Sequence, residues 1–148
     1  MMNRRTFLKA GLVLTPIAAS LAACGRGVGW PEGMQEIKWD RDTCTRCKMV
    51  ISDRRFGAEA RSPEGEVAKF DDIGCAVFWL KERPWGEQAR IWVADAGGKG
   101  ERWLDARSAQ YIGGRSSPMG YNFAAVAYPE PGSLGFADLR QHLLAKGK

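Results

Sequence analysis

The stretch from Asp71 to Pro84, DDIGCAVFWLKERP, limits the possible folds most. Asp71 or Asp72 can cap a helix by accepting a bond from an early backbone N–H, and Pro84 stops it. Between them Ile73, Val77 and Leu80 share one face, while Cys75, Phe78 and Trp79 occupy the other. A helix that is apolar nearly all round has no face for water and should be buried. Its upstream flank reads as a hairpin: Phe56 to Ser62 as a strand, Pro63-Glu64-Gly65-Glu66 as the turn, and Val67 to Phe70 as the returning strand.

A second unit echoes this layout. Arg90 to Asp95 reads as a strand, Gly97-Gly98-Lys99-Gly100 as a loop, and Trp103 to Ala106 as a short partner strand. After Gly113-Gly114, Tyr121 to Tyr128 alternates enough for another strand. Phe136 to Ala145 is an amphipathic helix with Phe136, Leu139 and Leu143 on one face and Gly147 as its stop. Hairpin-then-helix occurring twice predicts an α+β protein of two similar small ββα-type halves, 44–84 and 89–146, packed together.

The chain of 148 residues carries features at its start that belong to export and not to this fold. Residues 1–23 read as a signal peptide: Arg4 and Arg5, with Phe7, Leu8 and Lys9, match the twin-arginine pattern, although Asn3 stands where Ser or Thr is usual. The apolar run from Ala10 to Ala23 is too short for a membrane helix and is interrupted by Pro16. It ends in Leu21-Ala22-Ala23-Cys24, which resembles a bacterial lipobox and makes Cys24 the expected lipidation site. Residues 24–34 then read as a flexible tether and 35–148 as the folded domain. The expected location is the cell envelope, lipid-anchored and facing outward from the cytoplasm. Losing residues 1–23 removes Arg4, Arg5 and Lys9 and no acid, so the formal charge drops from +5 to +2. The remaining cations are interspersed with acids, which argues against nucleic acid as a partner. With 45% apolar and 26% charged residues over the whole chain, the composition is that of an ordinary globular protein, which needs no disulfide scaffold.

The chemistry concentrates in TCTRCKMVISD, from Thr43, where Cys44, Cys47 and Met49 lie within six residues. Three readings compete. A thiol–disulfide enzyme wants its first cysteine at a helix N-terminus after a buried strand, but KWDRD precedes this pair. Structural zinc wants four ligands, usually with a second paired motif, but this chain has no second CxxC and offers only Cys75 and the lone His142, which reads more simply as a half-exposed residue of the last helix. Monovalent copper is soft and binds both thiolate and thioether sulfur, which suits Cys-x-Met. In an extended segment Cys47 and Met49 would project to the same side. Met49 is equally readable as a core methionine ahead of Val50 and Ile51. With Cys24 acylated and Cys44 paired to Cys47, Cys75 would be left over, as a buried thiol or as a further ligand.

A second stretch, SPMGYNFAAV from Ser117, sets Met119 between Pro118 and Gly120 in a turn, where a third sulfur could point inward. Taken in order behind the lipobox, CTRCKMVISD, FDDIGC and SPMGYNFAA resemble the NosL family of membrane-anchored copper-binding lipoproteins associated with nitrous oxide reductase assembly. The resemblance implies a copper chaperone and not an enzyme, delivering Cu(I) in the envelope to a copper enzyme or its assembly machinery, on a fold like that of organomercury lyase. It also implies Cys47, Met49 and Met119 as copper ligands, with Cys44 assisting. A periplasmic thiol–disulfide oxidoreductase using Cys44 and Cys47 is the alternative, and an organomercury-lyase-like activity a third. Lys48 stands where the family usually has glycine, so a turn with positive φ there would be strained. Arg46 and Lys48 are expected to favour the Cys47 thiolate.

Overall fold

The computed structural model describes residues 29–147; Arg4, Arg5 and Cys24 lie outside them. The chain runs β1 (Ala58–Arg61), β2 (Val67–Phe70), α1 (Ile73–Lys81), a short 3-10 turn (Gly86–Gln88), β3 (Arg90–Ala94), β4 (Trp103–Asp105), β5 (Gln110–Gly113), β6 (Phe123–Val126) and α2 (Phe136–Lys146). The class is α+β, as the sequence predicts. Strands β2-β1-β3-β4 form one antiparallel sheet, and β5 and β6 form a separate pair. The hairpin β3–β4 therefore does not make a sheet of its own. Ala58 pairs with Val93 and Ala60 with Ile91, which joins it to the first hairpin. No helix of the described residues is long and apolar enough to cross a membrane.

Period-two alternation gives the four-stranded sheet two different faces. Ala58, Ala60, Ala68, Phe70, Ile91 and Val93 are all buried and share one face through their cross-strand pairing. On it lies α1, with Trp79 against Phe70 at 5.6 Å between ring centroids. As expected, α1 is buried almost all round: Ile73, Gly74, Cys75, Ala76, Val77, Trp79 and Leu80 are all inside. Asp72 supplies the cap, its carboxylate accepting from the Gly74 N–H at 3.1 Å. The helix closes at Lys81, before Pro84, and a Cβ at Gly86 would meet the Leu80 carbonyl oxygen at 2.2 Å, so the chain turns back tightly there.

The other face of the sheet carries Glu59, Lys69 and Trp92 and is crossed by residues 30–42. Trp30 and Trp39 pack on Trp103 at 5.4 and 6.1 Å, Met34 and Ile37 are buried, and Arg61 donates to the Gly33 carbonyl at 2.8 Å. The tether expected over 24–34 thus belongs to the fold from Trp30 onward, because its aromatic and thioether side chains find a sheet to cover. Strands are shorter than read from sequence at Phe56–Ser62 and Tyr121–Tyr128. Strand β5 was not foreseen. Its order comes from distant partners, with Tyr111 exchanging backbone bonds with Leu134 at 2.8 and 2.9 Å.

Candidate metal centre

The strap feeds directly into the cysteine loop, which is fixed against β2. Thr45 donates its N–H to the Lys69 carbonyl at 2.7 Å, and Lys69 returns its N–H to the Thr45 hydroxyl at 3.1 Å. Within the loop Cys44 N–H donates to Met49 O at 2.8 Å and Lys48 N–H to Cys44 O at 3.0 Å. The segment is therefore a tight turn, not the extended run expected to put Cys47 and Met49 on one side. Cys47 is half-buried, whereas Met49 is 47% exposed. Lys48 sits at φ 67°, the left-handed conformation that a glycine would take without strain.

Below the loop lie the end of β2 and the first turn of α1. Three sulfurs, Cys44, Cys47 and Cys75, gather there with a carboxylate oxygen of Asp71, all within 4.8 Å of one another. None of the three thiols is in a disulfide. Cys75, which the sequence left between a buried thiol and a ligand, is both buried and a member of the cluster. Asp71 was missed as a site residue. The signal for it was the Asp71-Asp72 doublet, since one carboxylate suffices to cap the helix and the other is left without a task.

The Cys47 thiol donates to Asp71 Oδ2 at 3.3 Å, while Asp71 Oδ1 is buried without a hydrogen-bond partner. A buried acceptor left unmade costs about 1–3 kcal/mol, so this oxygen fits a site that a cation completes. The thiols differ in acidity. Cys44 is pulled down to about 4, first because Cys75 donates a hydrogen bond to its thiolate and also because the Cys47 N–H does. Cys75 is driven up by that same donation and by burial. Cys47 is pushed up to about 12 by burial and by the neighbouring Cys44 charge and Asp71. Asp71 rises to about 6, chiefly through burial and then through Cys44. The expectation that Arg46 and Lys48 favour the Cys47 thiolate is thus overturned. Lys48 Nζ is engaged by the Thr45 carbonyl at 2.6 Å, and Arg46 turns to Tyr121, Phe78 and Cys75.

Asp72 joins the second motif to the first. Its Oδ2 accepts from the Ser117 hydroxyl at 2.6 Å and from the Met119 N–H at 3.2 Å, holding the Pro118-Met119-Gly120 turn over the helix start. Met119 is partly buried and packs against the core. Gly74 lets Tyr121 close the same corner, for a Cβ there would meet the ring at 2.2 Å. His142 lies away on α2, edge-on to Phe123, outside the sulfur cluster. The arrangement is chemically a soft-metal or zinc-type donor set: three thiols, one carboxylate, and thioethers on the two bordering loops. As a disulfide-exchange centre it is poorly disposed, because its most acidic thiol, Cys44, is 0% exposed.

A search of solved structures finds a match in the crystal structure of the copper chaperone NosL from Shewanella denitrificans. The TM-score is 0.58 at 15% sequence identity, covering 76% of this chain and 89% of that one. The fold is similar to that of NosL. No family model and no curated protein matches the chain.

Proposed function

We propose that this protein is a copper chaperone of the NosL type, a carrier and not an enzyme, which binds Cu(I) at the sulfur cluster and hands it to an envelope copper enzyme. The observation that carries the reading is the convergence of Cys44, Cys47, Cys75 and Asp71 within 4.8 Å on a NosL-like fold. Thiolate sulfur suits Cu(I), and burial of two of the three thiols keeps oxidants and water from the site. Met49 and Met119, on the two loops that border the cluster, are the proposed thioether donors. In this reading Cys24 carries the lipid anchor, Arg4 and Arg5 direct export, and the recipient is nitrous oxide reductase or its assembly machinery. Those last elements draw their support from the sequence motifs alone.

Zinc is a second reading, favoured by one observation: the fold sets Asp71 beside the three sulfurs as a fourth donor, in place of the distant His142. Competition separates the two. The reduced, full-length chain in detergent is expected to bind one Cu(I) and to keep it in the presence of excess Zn(II). Cys47→Ser and Cys75→Ser should each weaken Cu(I) binding by about 100-fold or more, roughly 2.7 kcal/mol. Preferential retention of Zn(II), or wild-type Cu(I) affinity in both variants, would sink the copper reading.

A further inference from the structure

The chain enters the fold at a cluster of three tryptophans on one edge of the sheet. Trp30 packs on Trp103 at 5.4 Å and Trp39 stacks on it at 6.1 Å, and all three are only partly buried. Trp103 belongs to β4, an outer strand. Beside them lie two exposed cations. The Arg54 guanidinium sits 5.5 Å over the Trp39 ring, and a Cβ at Gly100 would meet Arg54 Cβ at 2.8 Å, so the β3–β4 loop brings Lys99 to the same place. Arg54 and Lys99 take no part in the ion pairs of the described residues, whereas Asp53 and Asp95 are already held by Arg55 and Arg102. Glu32, Asp40 and Glu101 are exposed along the same stretch, so the edge as a whole is roughly balanced in charge.

We propose that this tryptophan edge is a membrane-contact surface: Trp30, Trp39 and Trp103 lie at the headgroup level of the bilayer, Arg54 and Lys99 meet lipid phosphates, and the sulfur cluster is turned to the aqueous side. The inference rests on the anchored-carrier reading, in which Cys24 is acylated. Only five residues separate Cys24 from Trp30, so the connection reaches about 20 Å at full extension. A domain of this size is about 35 Å across. The tryptophan edge therefore stays close to the bilayer, and the far side of the domain cannot be brought round to it. Indole rings have an apolar body and a polar N–H, which suits them to the membrane–water interface, and cations beside them are drawn to phosphate. Sheet topology then sets which way the site faces. Strands β4 and β2 are opposite edges, three strand spacings or about 14 Å apart. The cysteine loop is fixed on β2 with its cluster beside α1, whereas Trp103, paired with Ala94, stands on the strap side of the sheet. A partner protein then reaches the cysteine loop from water while the domain rests on the membrane.

The test uses the lipidated chain purified from membranes and reconstituted in vesicles of phosphatidylcholine and phosphatidylglycerol whose acyl chains are brominated just below the headgroup. Flotation on a density gradient reads the anchor, and tryptophan emission reads the contact. Three of the six tryptophans stand at this edge, so the brominated lipid should quench about a third or more of the emission. Trp30→Phe with Trp103→Phe keeps aromatic packing and should remove most of that loss. Trp79→Phe with Trp85→Phe, a pair on the α1 side, should leave it in place. Arg54→Glu with Lys99→Glu makes the edge acidic without touching the core and should cut the loss at least about twofold, with flotation unchanged. Unquenched emission from a chain that floats would overturn the membrane face. So would quenching that disappears with Trp79→Phe and Trp85→Phe instead, or quenching indifferent to the charge reversal, as mere proximity on a tether would give. A wild-type chain that does not float would overturn the anchor reading itself, and this inference with it.

Discussion

Lys48 shows how a single backbone angle shapes the site. At φ 67° it closes the turn that brings Cys47 back under Cys44 and sends Met49 outward. A non-glycine residue in this region costs about 1–2 kcal/mol, whereas glycine carries an entropic cost of roughly 0.5–1 kcal/mol. The Lys48 Nζ bond to the Thr45 carbonyl is exposed and recovers little of the difference. Lys48→Gly should therefore stabilise the metal-free protein by about 0.5–1 kcal/mol, read as an upward shift of the urea midpoint with unchanged slope. A lower midpoint would mean that the lysine side chain, and not the turn geometry, matters there. Asp71 marks the same scale from the other direction. Its unpartnered Oδ1 is a polar atom that folding has buried without satisfying, next to three thiols that could share a cation with it.

At the scale of elements, the site is a junction of three pieces: the cysteine loop, the N-terminal turn of α1, and the Ser117–Gly120 turn. Asp72 ties the last two together, capping the helix with one oxygen and accepting from Ser117 and Met119 with the other. Close approach of Tyr121 to the helix depends on Gly74 having no side chain. With a Cβ only 2.2 Å from the ring, Gly74→Ala should cost about 2–3 kcal/mol by overpacking, despite alanine's better helix propensity. Thermal unfolding measures this. A variant within about 0.5 kcal/mol of wild type would show that Tyr121 is free to move off the helix. The junction also explains a limit of reading elements one at a time. The sequence gives Asp71 and Asp72 equal claims to the cap, and only the turn arriving from Ser117 decides that Asp72 takes it.

At the scale of the molecule, the four-stranded sheet separates two environments. Helices and sulfur cluster occupy one side; on the other, the strap of residues 30–42 covers Glu59, which is wholly buried on the central strand β1. Glu59 Oε1 accepts from the Gln35 N–H at 2.7 Å, but Oε2 has no partner, and burial pushes its pKa up to about 7 from 4.5. The unfolded chain releases this proton near 4.5 and the folded chain near 7, so the folded state binds the extra proton between them. The Glu59 contribution to stability is therefore greatest below pH 4.5, falls through that window, and is flat above pH 7. Comparing wild type with Glu59→Gln isolates it from the thiols and Asp71. The variant should gain on the wild type by on the order of 2–3 kcal/mol between acid and mildly alkaline pH, read from urea unfolding at each pH. A pH-independent difference would refute a buried, titrating Glu59.

Local pattern determined the elements of this protein well. The apolar-all-round segment could only be a buried helix, the Pro63–Glu66 turn could only join a hairpin, and Phe136, Leu139 and Leu143 could only be one face of a terminal helix. The thiols Cys44 and Cys47 were visible as a soft-donor pair because they lie three residues apart, and Cys75 as a buried thiol on that helix. What the tertiary structure alone decided is which donors meet. Bringing Asp71 and Cys75 under a loop more than twenty residues away depends on Thr45 pairing with Lys69 at the edge of β2, a contact between distant parts of the chain that no local periodicity encodes. The same holds for β5, ordered by Leu134, and for the strap, which folds only because Trp103 and the sheet give Trp30 and Trp39 a surface to cover. Periodicity records which side of an element is apolar, but the partner that buries it is chosen by packing among all the elements at once.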